Sequence, residues 1–139
     1  MPDTAYQSAP GYLTAQVYRY NAAAPVSGAV VRVYRPDNPQ PLYEFTTGLS
    51  GLTPTMALDA PPRKYSLTPQ TLHRPYAVYN MEVEYQGHLL VIEGIQIFAG
   101  TMAVQRADLT SLMTRPVGAR EVIIIPEHTL WGPHPPQAY

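Results

Sequence analysis

Apolar and polar residues alternate with period two along most of the chain. In 11–20, Leu13, Ala15 and Val17 share one face, and Tyr12, Thr14, Gln16 and Tyr18 share the other. That is the pattern of a half-buried strand. A second strand spans 29–34, with Ala29, Val31 and Val33 set against Val30, Arg32 and Tyr34. Segments 42–47 and 52–58 read as a third and a fourth, the latter marked as an edge or bulge by Pro54. The clearest strand is 78–86, where Tyr79, Met81, Val83 and Tyr85 oppose Val78, Asn80, Glu82, Glu84 and Gln86. Segments 89–92, 95–99 and 102–109 complete the series.

Turn clusters separate these runs: 35–41 holds three prolines, Gly48-Leu-Ser-Gly51 makes a tight turn, and Gln86-Gly-His88 makes another. Helices find little room. The best helical window, 101–113, offers Val104 and Leu109 without a stripe. Short strands at regular spacing with turns between them predict an all-β, antiparallel sandwich of seven to eight strands, of immunoglobulin or transthyretin type. Its expected core is Leu13, Ala15, Val17, Val31, Val33, Met81, Val83 and Ile97. The sandwich reads as 11–109, after an N-terminal extension at 1–10. Segment 110–139 reads as a linker with Pro116 and Gly118, one more strand at 121–125, and a Pro-rich tail.

Composition narrows the function. The 139 residues make one domain on length. Cysteine is absent, which removes disulfides, thiolate metal sites and cysteine nucleophiles. Charged residues are 14% of the chain and the net charge is -1, with Lys64 the single lysine. No basic patch suited to a phosphate backbone is present, so nucleic acid is not an expected partner. The first ten residues show neither a basic nor an apolar signal region, and no apolar run approaches the ~20 residues of a membrane helix. Eleven tyrosines against two phenylalanines suit a surface that touches something, or simply good strand formers.

The segments Gly11-Tyr-Leu-Thr-Ala-Gln-Val17, Pro25-Val-Ser-Gly-Ala-Val-Val-Arg-Val33 and Thr46-Thr-Gly-Leu-Ser-Gly-Leu52 resemble the carboxypeptidase regulatory-like domain, a transthyretin-like β-sandwich. The resemblance covers about 11–109, with Tyr79 to Gly87 and Gly94-Ile-Gln-Ile-Phe-Ala-Gly100 fitting its remainder. It implies a fold more than a function. Gly48 stands where Asp or Asn is common in that motif, and glycine keeps the turn by accepting positive φ. A narrower similarity, carried by Leu52-Thr-Pro54, Ile95-Gln-Ile-Phe-Ala-Gly100 and Ile125-Pro-Glu127, is to the N-terminal module of spore cortex-lytic-enzyme-like proteins of Firmicutes. It implies a spore or cell-surface setting without a readable signal peptide; otherwise the expectation is cytoplasmic. The lytic activity of that family has no residues here to carry it.

Candidate chemistry is sparse. Gly48-Leu-Ser-Gly51 lacks the last glycine of a nucleophile elbow, so Ser50 reads as a turn residue. Glu82 and Glu84 share a strand face roughly 7 Å apart, within reach of a glycosidase pair, although a solvated face is commoner. Glu127, His128 and His134 are the candidate metal ligands, without a spacing that fixes geometry, and His73 and His88 sit in a loop and a turn. No catalytic residue, cofactor or metal is expected. Trp131, the sole tryptophan, suits a packed contact or a sugar face.

The sequence therefore reads as a non-catalytic assembly or adhesion module, expected to form a homo-oligomer or filament. The alternative is a module binding peptidoglycan or another glycan. The expected subunit interface is Val122, Ile123, Ile124, Ile125, Leu130 and Trp131, with 121–130 expected to be donated to a neighbour; the alternative is an intramolecular eighth strand in its own sheet.

Overall fold

The computed structural model describes residues 9–20, 23–62 and 74–126. Among the described residues nine strands form two sheets: β1 (Ala9–Arg19), β2 (Ala24–Pro25), β3 (Val30–Tyr34), β4 (Tyr43–Thr46), β5 (Met56–Ala60), β6 (Ala77–Tyr85), β7 (His88–Ile97), β8 (Met102–Asp108) and β9 (Arg120–Ile124). In the first sheet β1 is central. Strands β5 and β2 pair with the two ends of one edge, and β8 pairs with the other edge. The second sheet runs β4-β3-β6-β7-β9.

The alternating faces meet between the sheets, so the fold is the all-β sandwich that the sequence pattern implies. Leu13, Ala15, Val17, Val31, Val33, Met81, Val83 and Ile97 are each at most 1% exposed. A one-residue slip in β1 or β6 would exchange these side chains for Tyr, Thr, Gln and Glu, and that fixes the register. Tyr79, also in the core, donates from its hydroxyl to the Asp59 carbonyl at 2.5 Å and so ties β6 to β5 of the opposite sheet.

Strand direction departs from expectation. The pairs β1–β8 and β7–β9 are parallel. Period-two alternation reports which face is buried and is blind to direction. The chain crosses between sheets after β7 and again after β8, so neither pair is constrained by a hairpin. Two expected strands, 89–92 and 95–99, are one strand, β7, which continues through a bulge at Gly94. Gly94 has φ +90° and its N–H donates to Asn80 Oδ1 at 3.1 Å. A Cβ there would lie 2.9 Å from the Ile125 carbonyl oxygen, so glycine also permits the close approach of the C-terminal strand.

The fourth strand, expected at 52–58, begins at Met56. Before it, Leu52 makes an isolated bridge to Gln16, and Thr53 takes over the ladder: its N–H donates to the Ala15 carbonyl, and its Oγ1 accepts from the Ala15 N–H, both at 3.0 Å. Thr47 does the same for the turn before β3. Its Oγ1 accepts from Ala29 N–H at 3.0 Å and donates to the Val26 carbonyl at 2.7 Å. In the Gly48–Gly51 turn the residue at positive φ is Gly51, at +76°, rather than Gly48.

Segment 110–120, expected as a linker, is largely exposed but anchored to the core by Leu112, Met113 and Ala119. Leu109 and Leu112 are fully buried, Leu112 in a short 3-10 turn, Leu112–Thr114. The chain then enters β9 beside its own β7. The additional strand thus takes the intramolecular pairing, and the sandwich extends past Leu109 to Ile124.

Replacing Thr47 by Val keeps the shape and strands one buried donor and one buried acceptor. At about 1–3 kcal/mol for each unsatisfied group, the expected loss is about 2–6 kcal/mol. Thermal denaturation checks this, with the exposed neighbour substitution Thr46→Val as a control expected within ~0.5 kcal/mol of wild type.

Candidate functional site

The outer face of the five-stranded sheet divides into a polar half and an apolar half. Register places Arg32 opposite both Glu44 and Glu82, one rung from Glu84. The Arg32 guanidinium donates from Nε to Glu44 Oε2 at 2.6 Å and from Nη2 to Glu84 Oε1 at 2.9 Å, and its Nη1 lies 3.8 Å from Glu82 Oε1. Tyr34 donates from its hydroxyl to Glu82 Oε1 at 2.8 Å. Partial burial and then the Glu82 carboxylate push the Tyr34 phenol up to about 12. The ladder orders this face, and its open ion pairs add little to stability.

Beside the ladder lies an open cleft of about 480 Å³ between the 35–39 loop and the sheet. Tyr34, Asn80, Glu82, Glu93 and Arg120 reach it from four strands. Neither Glu93 nor Arg120 has an ion-pair partner among the described residues. The cleft offers a neutral amide, carboxylates and a guanidinium, a set suited to hydroxyl-rich or zwitterionic ligands.

The apolar half belongs to β7 and β9. Leu89 pairs with Arg120, Val91 with Val122 and Glu93 with Ile124. On this face Val122 and Ile124 are 45% and 70% exposed; Ile123, opposite the core residue Ile92 and 42% exposed, lies on the other face, the side on which Ile125 packs against the core. Among the described residues no strand pairs with the far side of β9. The other sheet has a second apolar patch, where Met102 and Val104 of β8 project outward beside Tyr12 and Thr14 of β1.

The residues expected from sequence are scattered. Glu82 and Glu84 do share a face, but their carboxylates are held by Arg32 and Tyr34. Ser50 is exposed in its turn. His88 is buried, with Nδ1 3.1 Å from the Gln86 carbonyl oxygen and Nε2 2.9 Å from that of Arg115, so its ring clasps the segment leading to β9. Of the expected interface, Val122, Ile123 and Ile124 lie in β9, and Ile125 follows it, packed against the core. Glu127, His128, Leu130, Trp131, His134 and His73 lie outside the described residues. Among the described residues no group of three or more His, Asp or Glu is placed to hold a metal. Sequence reasoning missed Glu93 and Arg120, which line one cleft from opposite ends of the β7–β9 ladder, and the outward pair Met102 and Val104, which alternation in 102–109 did signal.

No family model matches the chain, and no curated protein matches it. Among solved structures the chain is similar to the 5-hydroxyisourate hydrolase of Klebsiella pneumoniae, at 16% identity and a TM-score of 0.34, over 52% of this chain and 56% of that one. The chain therefore spans a little over half the length of that structure. A likeness at these values transfers neither residues nor activity. None of this supports the narrower resemblance to spore cortex-lytic proteins.

Because the Tyr34 phenol binds its proton more tightly in the folded state, its contribution to stability is present below about pH 10. It is lost as pH rises through about 12. In an alkaline ultraviolet titration, Tyr34→Phe is expected to remove one late-titrating phenol. Glu82→Gln is expected to move that phenol to lower pH without returning it fully to 10, since burial is the larger cause.

Proposed function

We propose that this chain is a non-catalytic assembly module that associates through the open side of β9. The observation that carries the reading is the apolar edge strand, with Val122 and Ile124 on its outer face 45% and 70% exposed and Ile123 on its other face 42% exposed. Full burial of one such side chain is worth roughly 1.5–3 kcal/mol, so a partner covering the strand gains several kcal/mol. Unpaired edges are also aggregation hazards unless covered, which favours a defined occupant. The strand pairs with its own sheet, so association takes the form of edge contact rather than strand donation. The carboxylates that might have served catalysis are engaged as a ladder, which supports a binding role. The sequence resemblance to surface modules of Gram-positive spore formers is what supports an envelope or spore setting.

A second reading is favoured by the cleft: a glycan or peptidoglycan fragment bound by Tyr34, Asn80 and Glu93. Retention on peptidoglycan that is lost with Asn80→Ala would support it.

Sedimentation velocity from low to high micromolar concentration tests the assembly reading. The full chain is expected to shift toward larger species, and Ile124→Lys to stay monomeric with an unchanged thermal melt. A wild-type chain that remains a monomer throughout overturns the reading.

A further inference from the structure

We propose that two copies pair antiparallel through β9 about a two-fold axis at Val122, joining two five-stranded sheets into one. This rests on the assembly reading above and adds the partner and the register.

The argument starts from the backbone. Leu89 N–H donates to the Ala119 carbonyl at 3.1 Å, and Ile125 N–H donates to the Glu93 carbonyl at 2.8 Å. Along a strand, the N–H and C=O of one residue point to the same side, and successive residues alternate. Residues 119, 121, 123 and 125 therefore address β7, and Arg120, Val122 and Ile124 present their N–H and C=O groups to the open side. An antiparallel partner satisfies these groups only where edge-facing residues meet edge-facing residues. Centring the two-fold axis on Val122 sets Val122 against its own copy and Arg120 against Ile124 in both directions. All three residues are then matched, with two hydrogen bonds for each residue pair. An axis moved by one residue, to Glu121 or Ile123, leaves one edge residue of each β9 without a partner inside the strand.

Charge selects the same arrangement. Glu93 and Arg120 lie on one face but at opposite ends of the β7–β9 ladder, roughly 13 Å apart along the strands. Neither is ion-paired among the described residues. In the proposed pairing the second copy's Arg120 lies directly across Ile124, and Ile124 is the register partner of Glu93. Each glutamate then has an arginine two strand spacings away, roughly 9–10 Å between Cα atoms, a gap that the two side chains span. The apolar centre, Val122 on Val122, is flanked by a symmetric pair of opposite charges, as a self-complementary two-fold interface requires.

The chain contains no cysteine, so a single introduced thiol reports one position. Opposed residues in such a pair have Cα atoms about 5.5 Å apart, within disulfide range. Under mild oxidation, Val122→Cys is expected to form a covalent dimer at least ~10-fold faster than the exposed controls Met102→Cys and Leu49→Cys, the factor that contact at 122 demands over random collision. Independently, Arg120→Glu is expected to weaken association on the order of tenfold, and Arg120→Glu with Glu93→Arg to restore it. Sedimentation reads both, so the proposal stays testable if the cysteine variant folds poorly. If the wild type dimerises but Val122→Cys cross-links no faster than the controls and the charge exchange fails to rescue, this pairing is wrong and the assembly reading survives on another surface. If the wild type does not associate at all, both fall.

Discussion

A β-strand satisfies its backbone only through what lies along its two edges, and that obligation organises this molecule. Strand β1 meets it with β8 along one edge and with β5, Thr53, Leu52 and β2 in succession along the other. Where regular pairing lapses, threonine hydroxyls stand in for backbone groups, as Thr53 does for Ala15 and Thr47 for Ala29. Strand β9 completes the edge of β7 and transfers the obligation to its own far side. There the groups of Arg120, Val122 and Ile124 face outward with aliphatic side chains beside them.

Face chemistry then separates stability from recognition. The inward faces are aliphatic and closed, and their burial dominates folding. The outward face of β4, β3 and β6 is occupied by a ladder built on Arg32, whose carboxylates already have partners. What stays unspent lies on β7, β9 and the nearby cleft: Glu93, Arg120, Val122 and Ile124.

The sequence made the faces legible but not the edges. Alternation at 11–20, 29–34 and 78–86, with the apolar run at 95–99, identified the expected core, because face periodicity is a local property. Strand direction, partner and continuity are non-local. The parallel β1–β8 and β7–β9 pairs, the passage of β7 through Gly94 and the start of β5 at Met56 all depend on what lies alongside. The run at 122–125 suggested an interface, and Val122, Ile123 and Ile124 are exposed in this chain. Its pairing within the chain was one of two alternatives that composition could not separate. Glu93 and Arg120, far apart in sequence, become a site only once β9 is laid beside β7.

The most direct test of edge association is residue-resolved amide exchange along β9 as concentration rises. In dilute solution Glu121 and Ile123, whose N–H groups address β7, are expected to be protected, and Arg120, Val122 and Ile124 to exchange freely. As association sets in, Arg120, Val122 and Ile124 are expected to become protected together. If these three amides still exchange freely at concentrations where the chain is fully associated, the account is contradicted.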